Sequence, residues 1–160
     1  MITQELLKSL FDYQDGQLIR KKNGKVVVCS PTKGHRYLRL YINGAPRSLH
    51  RMIYLWHHGS LPKVLDHIDG NRENNRIENL REVTQQQNCL NRKHKSTSTS
   101  PYKNVYRASM ANPDWQKNWV VSITVEGKRK YIGSFEDIEL ADLVAQEARD
   151  KYHGQYARHF

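Results

Sequence analysis

The chain has 160 residues, 38% of them hydrophobic, with 26 Lys and Arg against 16 Asp and Glu, a formal charge of +10 and a mean hydropathy of -0.82. That length accommodates one domain or two small modules, and no run approaches the ~18 to 20 apolar residues of a membrane-spanning helix, so no membrane partner is expected. MITQELLKSLFDYQDG lacks the basic-then-apolar order of a secretory signal, and Cys29 and Cys89 stand alone without a CxxC pair, which points to a reducing, cytoplasmic compartment and away from a disulfide framework.

In chain order, Gln17–Lys21, Lys25–Cys29, Arg36–Ile42 and Pro46–Leu49 read as short strands punctuated by Asn23-Gly24, Gly34 and Asn43-Gly44, a hairpin pattern. Leu49, Met52, Ile53 and Trp56 recur at helical spacing, and Gly59 with Pro62 closes that helix. The apolar-free run Lys95–Ser100 before Pro101 reads as a connector. Beyond it, Lys103–Ala108, Lys117–Val125 and Lys128–Gly133 predict three strands, and Asp137 to about Tyr152 predicts a helix with an apolar stripe, stopped by Gly154. The expected organisation is a module over 1–95, a linker over 96–101 and a second module over 102–160. The class is α+β.

Charge is distributed unevenly. Residues 1–95 carry 17 basic and 8 acidic side chains, residues 101–133 carry 6 and 2, and residues 134–160 carry 3 and 6. The basic segments suit a polyphosphate partner, while the last helix is acidic.

The chemistry concentrates between residues 66 and 91. Asp66-His67-Ile68-Asp69-Gly70-Asn71 is followed by Asn74-Asn75-Arg76-Ile77-Glu78-Asn79-Leu80-Arg81, and six of eleven asparagines fall from 71 to 91. Leu65–Ile68 reads as a strand end and Asp69–Asn71 as a turn, while Thr84 with Gln87 three residues on opens a helix that holds Asn88. Asn71, Asn74 and Asn75 serve equally well as ordinary turn residues. Strand, hairpin and helix together can bring Asp66, His67 and Asn88 to one site. Asp66 and Asn88 are hard oxygen ligands of the kind Mg²⁺ or Mn²⁺ accepts, and His67, on the opposite face of its strand, can act as a general base near neutral pH. His94 is six residues beyond Asn88 and projects from a different helical face. His50, His57 and His58 lie on the preceding helix, where His50-Arg51 packs against the site or touches phosphate. Arg72, Arg76 and Arg81 are natural phosphate clamps.

His50-Arg51 through Asn91, with DHIDGN, NNRIENLR and QQNCLN in that order, resembles the HNH endonucleases, specifically the phage and intron-encoded homing type with a ββα-metal site. The resemblance implies that Asp66 is the metal-binding carboxylate, His67 the general base and Asn79 the middle Asn bracing the loop. Asn88 then stands where the phage intron type has a metal-binding Asn. One divalent metal, Mg²⁺ or Mn²⁺, is implied, with no structural zinc.

Residues 102–160 resemble an AP2 domain through Tyr102-Lys103-Asn104-Val105, Asn118–Ile123, Tyr131–Phe135 and Gly154…Ala157…Phe160. The resemblance implies a three-stranded sheet packed on one helix, with the sheet in the DNA major groove. Tyr106, Trp119, Ser122, Thr124, Arg129 and Tyr131 fall on the DNA-facing positions, and Arg107 joins them as a candidate contact. Trp119 and Tyr131 read equally as sheet-packing aromatics. The combined expectation is a metal-dependent double-stranded DNA endonuclease, a monomeric homing-type nicking enzyme. The alternatives are a non-catalytic DNA-binding regulator and an RNA-binding or RNA-cleaving protein.

Overall fold

The computed structural model describes residues 2–31, 36–91, 99–107 and 119–159. Contacts divide the chain into two compact units, Met1–Thr84 and Gln85–Phe160. The division falls before Gln85 and not in the expected 96–101 connector; residues 96–98 and His94 lie outside the described residues. A physical reason is visible in the second unit, where the Lys103 ammonium donates to the Leu90 carbonyl at 2.7 Å and to the Arg158 carbonyl at 3.1 Å. The segment ahead of the connector is thereby tied to residues on its far side.

In the first unit, α1 (Gln4–Leu10) starts at Thr3, whose hydroxyl accepts from the Leu6 amide. It runs directly into β1 (Phe11–Gln14), which pairs antiparallel with β2 (Gln17–Arg20). Asp15 and Gly16 form the turn at φ 47° and 83°, left-handed values that match the twist of a tight hairpin. Neither α1 nor β1 is legible from patterning, because QELLKSL buries only Leu7 and one buried residue makes no stripe.

The expected strand over Lys25–Cys29 is corrected to a single bridge between Val26 and Ile19. Val27 alone is buried in the core, at 7% exposed, while Val26 and Val28 are 46% and 87% exposed, so the segment has one packed residue and no strand face. β3 (Ser30–Pro31), β4 (Leu38–Ile42) and β5 (Ala45–Ser48) form an antiparallel sheet in that order, with Asn43-Gly44 at the β4–β5 turn. Next, α2 (Leu49–His58) ends at Gly59 in the left-handed conformation at φ 74°, and the Gly59 amide returns to the Leu55 carbonyl. Leu7, Phe11, Leu18, Leu40, Ile42, Met52 and Ile53 build the core. The Trp56 indole donates to the Phe11 carbonyl at 3.1 Å, locking α2 to β1. Finally β6 (Leu65–His67) and β7 (Leu80–Glu82) pair antiparallel, anchored to the same core by Leu65 and Leu80.

The second unit begins with α3 (Gln85–Leu90). It continues with β8 (Val105–Arg107), β9 (Trp119–Val125) and β10 (Lys128–Phe135), an antiparallel sheet in chain order. Glu126 and Gly127, at φ 50° and 79°, turn β9 into β10. The last helix, α4 (Ile138–His153), is capped by the Asp137 carboxylate, which accepts from the Glu139 and Leu140 amides. Ala141 and Ala145 of α4 pack on Val105 and Val121. Arg149 is fully buried beneath this layer, donating from Nη1 to the Lys103 carbonyl at 2.6 Å, with Asp142 3.8 Å from Nη2. Among the described residues no helix is long and apolar enough to cross a membrane.

Candidate active site

β6 ends on three consecutive buried residues, Leu65, Asp66 and His67. A strand alternates its side chains, so Leu65 and His67 share one face and Asp66 takes the other. Register with β7 sets Asp66 opposite Arg81, and the Arg81 guanidinium donates to Asp66 Oδ2 from Nη2 at 3.2 Å and from Nε at 3.3 Å. The expected phosphate clamp Arg81 is thus bonded to the expected metal ligand.

His67, only 3% exposed, lies in an aromatic stack. Its ring centroid is 5.2 Å from that of His50 and 6.0 Å from that of Tyr37, and Arg72 places its guanidinium 5.4 Å from the Tyr37 centroid. Burial pushes the His67 imidazole below its ordinary range, more than nearby Asn75, Asp69 and Asp66 raise it. The ring is therefore neutral and basic at neutral pH. Burial with the charges of His67 and Arg51 lowers His50 further, to about 3. His50 packs against the site, while Arg51 donates to the Pro62 carbonyl at 3.1 Å.

The loop from Ile68 to Glu78 is held by its own amides. Asn79 donates from Nδ2 to Asp69 Oδ1 at 2.9 Å and to the Asn74 carbonyl at 2.7 Å, and its Oδ1 accepts from the Asp69 amide. Asn71 and Asn74 make further bonds to Asp69. Partial burial would raise the Asp69 carboxyl, but these bonds outweigh it and hold the group lower. Arg76 is exposed and directly precedes a 3₁₀ turn, Ile77–Asn79, whose first amide donates to the Tyr13 hydroxyl at 3.0 Å. Asn75 is different from its neighbours. It is 2% exposed and touches His67, a role that three chemically identical asparagines in one loop conceal in the sequence.

Asn88 is the fourth residue of α3 and is half-buried within the second unit. Within the first unit Arg81 is bonded to Asp66, Asn79 is bonded to Asp69 and Asn74, and His67 takes the opposite face of β6 from Asp66. Among the described residues no three His, Cys, Asp or Glu side chains converge as a metal-binding group. The Asp66 carboxylate is a hard oxygen donor of the kind Mg²⁺ takes with water filling most of its coordination, and its Oδ2 is shared with Arg81, which competes with such an ion.

On the sheet of the second unit, Tyr106, Ser122, Thr124, Arg129 and Tyr131 share the face away from α4, as register requires. Arg129 donates from Nε to Ser122 Oγ at 2.7 Å and lies 4.5 Å from the Tyr106 ring centroid. Trp119 and Arg107 do not belong to that face, which corrects their expected grouping. Trp119 is separated from Ser122 by an odd number of strand positions, packs with the α4-facing core, and has the Arg107 guanidinium 4.5 Å from its ring centroid.

Residues 47–90 match the family model described as HNH endonuclease. A relative from Escherichia phage T7, named Protein 3.8, is 34% identical over 123 residues, which is 71% of this chain and 90% of that protein. The chain belongs to the family of that phage protein and carries an HNH endonuclease domain. A solved structure titled "DNA binding and cleavage by the HNH homing endonuclease I-HmuI" is 26% identical, with a TM-score of 0.40, covering 79% of this chain and 71% of that one. The HNH match spans β5 through α3, the segment that contains Asp66, His67, Asn79 and Asn88.

Proposed function

We propose that this HNH protein is a metal-dependent DNA endonuclease, and the observation that carries the reading is the buried, neutral His67 beside the Arg81-paired carboxylate of Asp66. His67 takes a proton from the water that attacks the scissile phosphorus. Asp66 would hold Mg²⁺ or Mn²⁺ through its carboxylate, Asn88 is the further oxygen ligand that the family resemblance implies, and Asn79 holds the loop beside β6. A cation held there would offset the charge building on the phosphate oxygens and on the departing 3′ oxygen. Arg81 adds positive charge at the same carboxylate, and the exposed Arg72 and Arg76 hold the flanking backbone. The products are a 5′-phosphate and a 3′-hydroxyl.

The second unit acts as the sequence reader in this proposal, in the manner of an AP2-like module. Its outer sheet face, with Arg129, Tyr106, Thr124 and Tyr131, enters the major groove while the acidic α4 faces away from phosphate. One site per chain attacks one phosphodiester, so the protein works as a monomer that nicks an asymmetric, homing-type target in double-stranded DNA. Supercoiled plasmid carrying the protein's own source DNA tests this in Mg²⁺. Open circles should accumulate before linear DNA, and end mapping should place one nick on one strand. Immediate linearisation with a dimer mass overturns the monomeric nicking mode, and no Mg²⁺-dependent cleavage at all overturns the nuclease reading.

A further inference from the structure

Asn75 is nearly fully buried and makes two directional bonds. Its Nδ2 donates to the Glu73 carbonyl at 3.0 Å, while its Oδ1 lies 3.2 Å from His67 Nε2. The first bond decides the orientation of the amide. A flipped amide would set the buried Oδ1 against the Glu73 carbonyl, two acceptors facing each other, so Oδ1 points to the imidazole. A carbonyl-type oxygen accepts only from a ring nitrogen that carries hydrogen. His50 and Tyr37 flank the same ring and oppose its rotation.

The position of Asn75 is itself held from a distance. Gly16, at the tip of the β1–β2 hairpin, lies so close that a Cβ there would stand 2.8 Å from the Arg76 amide nitrogen and 3.0 Å from the Asn75 carbonyl carbon. Tyr13 of the same hairpin accepts the Ile77 amide. The backbone on either side of the Asn75–Arg76 peptide is thus fixed.

We infer that Asn75 is the positioning residue for His67: it fixes the ring and holds its proton on Nε2, so that the basic lone pair of the neutral imidazole is on Nδ1. This rests on the reading of His67 as the general base, and it assigns that base its reacting nitrogen. Loss of the partner that sets a catalytic histidine's tautomer lowers turnover without removing a substrate contact.

Two measurements on the full chain separate this inference from the nuclease reading. ¹⁵N-labelled histidine spectra at about pH 8 report the His67 tautomer directly; wild type should show hydrogen on Nε2, and Asn75→Leu, which keeps the branched outline without the acceptor, should lose that preference. Cleavage of plasmid in Mg²⁺ should fall roughly 10²-fold in kcat for Asn75→Leu with KM unchanged. Asn75→Asp, which restores an acceptor, should recover at least tenfold of that loss. Hydrogen on Nδ1 in the wild type overturns the inference, whether or not any variant folds. Wild-type rates in a folded Asn75→Leu overturn it as well. The expected tautomer in a wild type that never cleaves DNA leaves the positioning intact and removes the nuclease reading.

Discussion

Arg81 reaches across the β6–β7 ladder to Asp66 at 3.2 Å, with side chains only 15% and 10% exposed. Breaking a buried pair by removing one partner typically costs about 3–5 kcal/mol, because the remaining charge is stranded. Arg81→Ala should therefore lower stability by roughly 3 kcal/mol in the absence of divalent metal. If a cation binds Asp66, Mg²⁺ should restore more stability in the variant than it adds to the wild type. Thermal unfolding with and without Mg²⁺ checks this, and an equal metal effect in both proteins would separate Asp66 from the metal.

His67→Ala removes a proton acceptor and leaves Asp66, Arg72 and Arg76 in place. Single-turnover cleavage should fall about 10² to 10⁴-fold while gel-shift affinity for duplex DNA stays within a few fold. Undiminished cleavage would take His67 out of the mechanism.

Asp66→Ala and Asn88→Ala should each weaken metal binding and cleavage, and raised Mn²⁺ or Mg²⁺ should partly rescue Asn88→Ala, the neutral and weaker ligand. EDTA should silence the wild type. Activity surviving exhaustive chelation would rule the site out.

Some of this arrangement is legible in the sequence and some is not. The spacing of Leu49, Met52, Ile53 and Trp56 marks α2 because a helix buried on one face must repeat that way, and Asn43-Gly44 marks a hairpin because its turn needs left-handed backbone. Asp66 and His67 are legible because their chemistry is local to one strand end. The pairing of Arg81 with Asp66 is not, since it depends on which residue of β7 lies opposite. Asn75 cannot be told from Asn71 or Asn74 without knowing which amide is buried. Trp119 misleads for a simpler reason: its type suggests a contact, but strand parity alone settles its face.

Stability should depend on pH through His50. Burial lowers its folded value to about 3 from an unfolded value of 6.5, so between those limits the unfolded chain binds the extra proton. The stabilisation is whole above pH 6.5 and is lost as pH falls toward 3, at up to about 1.4 kcal/mol per pH unit for this group. His67, also lowered, acts in the same direction. Denaturant titrations from pH 8 down to pH 5 should show a falling midpoint, with a shallower fall in His50→Phe. An equal slope in the two proteins would mean that His50 is not held neutral.

Arg129 has its Nε committed to Ser122 and its plane beside Tyr106, which leaves a preset guanidinium on the outer sheet face. Arg129→Ala should relax site preference by roughly 1–3 kcal/mol at one base position while cleavage of non-specific DNA continues. Competition between the preferred duplex and a scrambled one measures this. Preference unchanged across all positions would move sequence reading to the first unit.

The close approach of Gly16 to the Asn75–Arg76 backbone makes the HNH segment a poor transplant. Tyr13 and Ile77 are 64 positions apart in the chain, yet one bond joins them under the loop that carries the candidate base's partner. Residues 47–90 grafted alone into another scaffold would carry Asp66, His67 and Asn75 but leave behind the hairpin on which that loop rests. Chimeras between relatives should accordingly exchange the β1–β2 hairpin together with the motif, as a single inherited block, although the two lie at opposite ends of the unit's sequence.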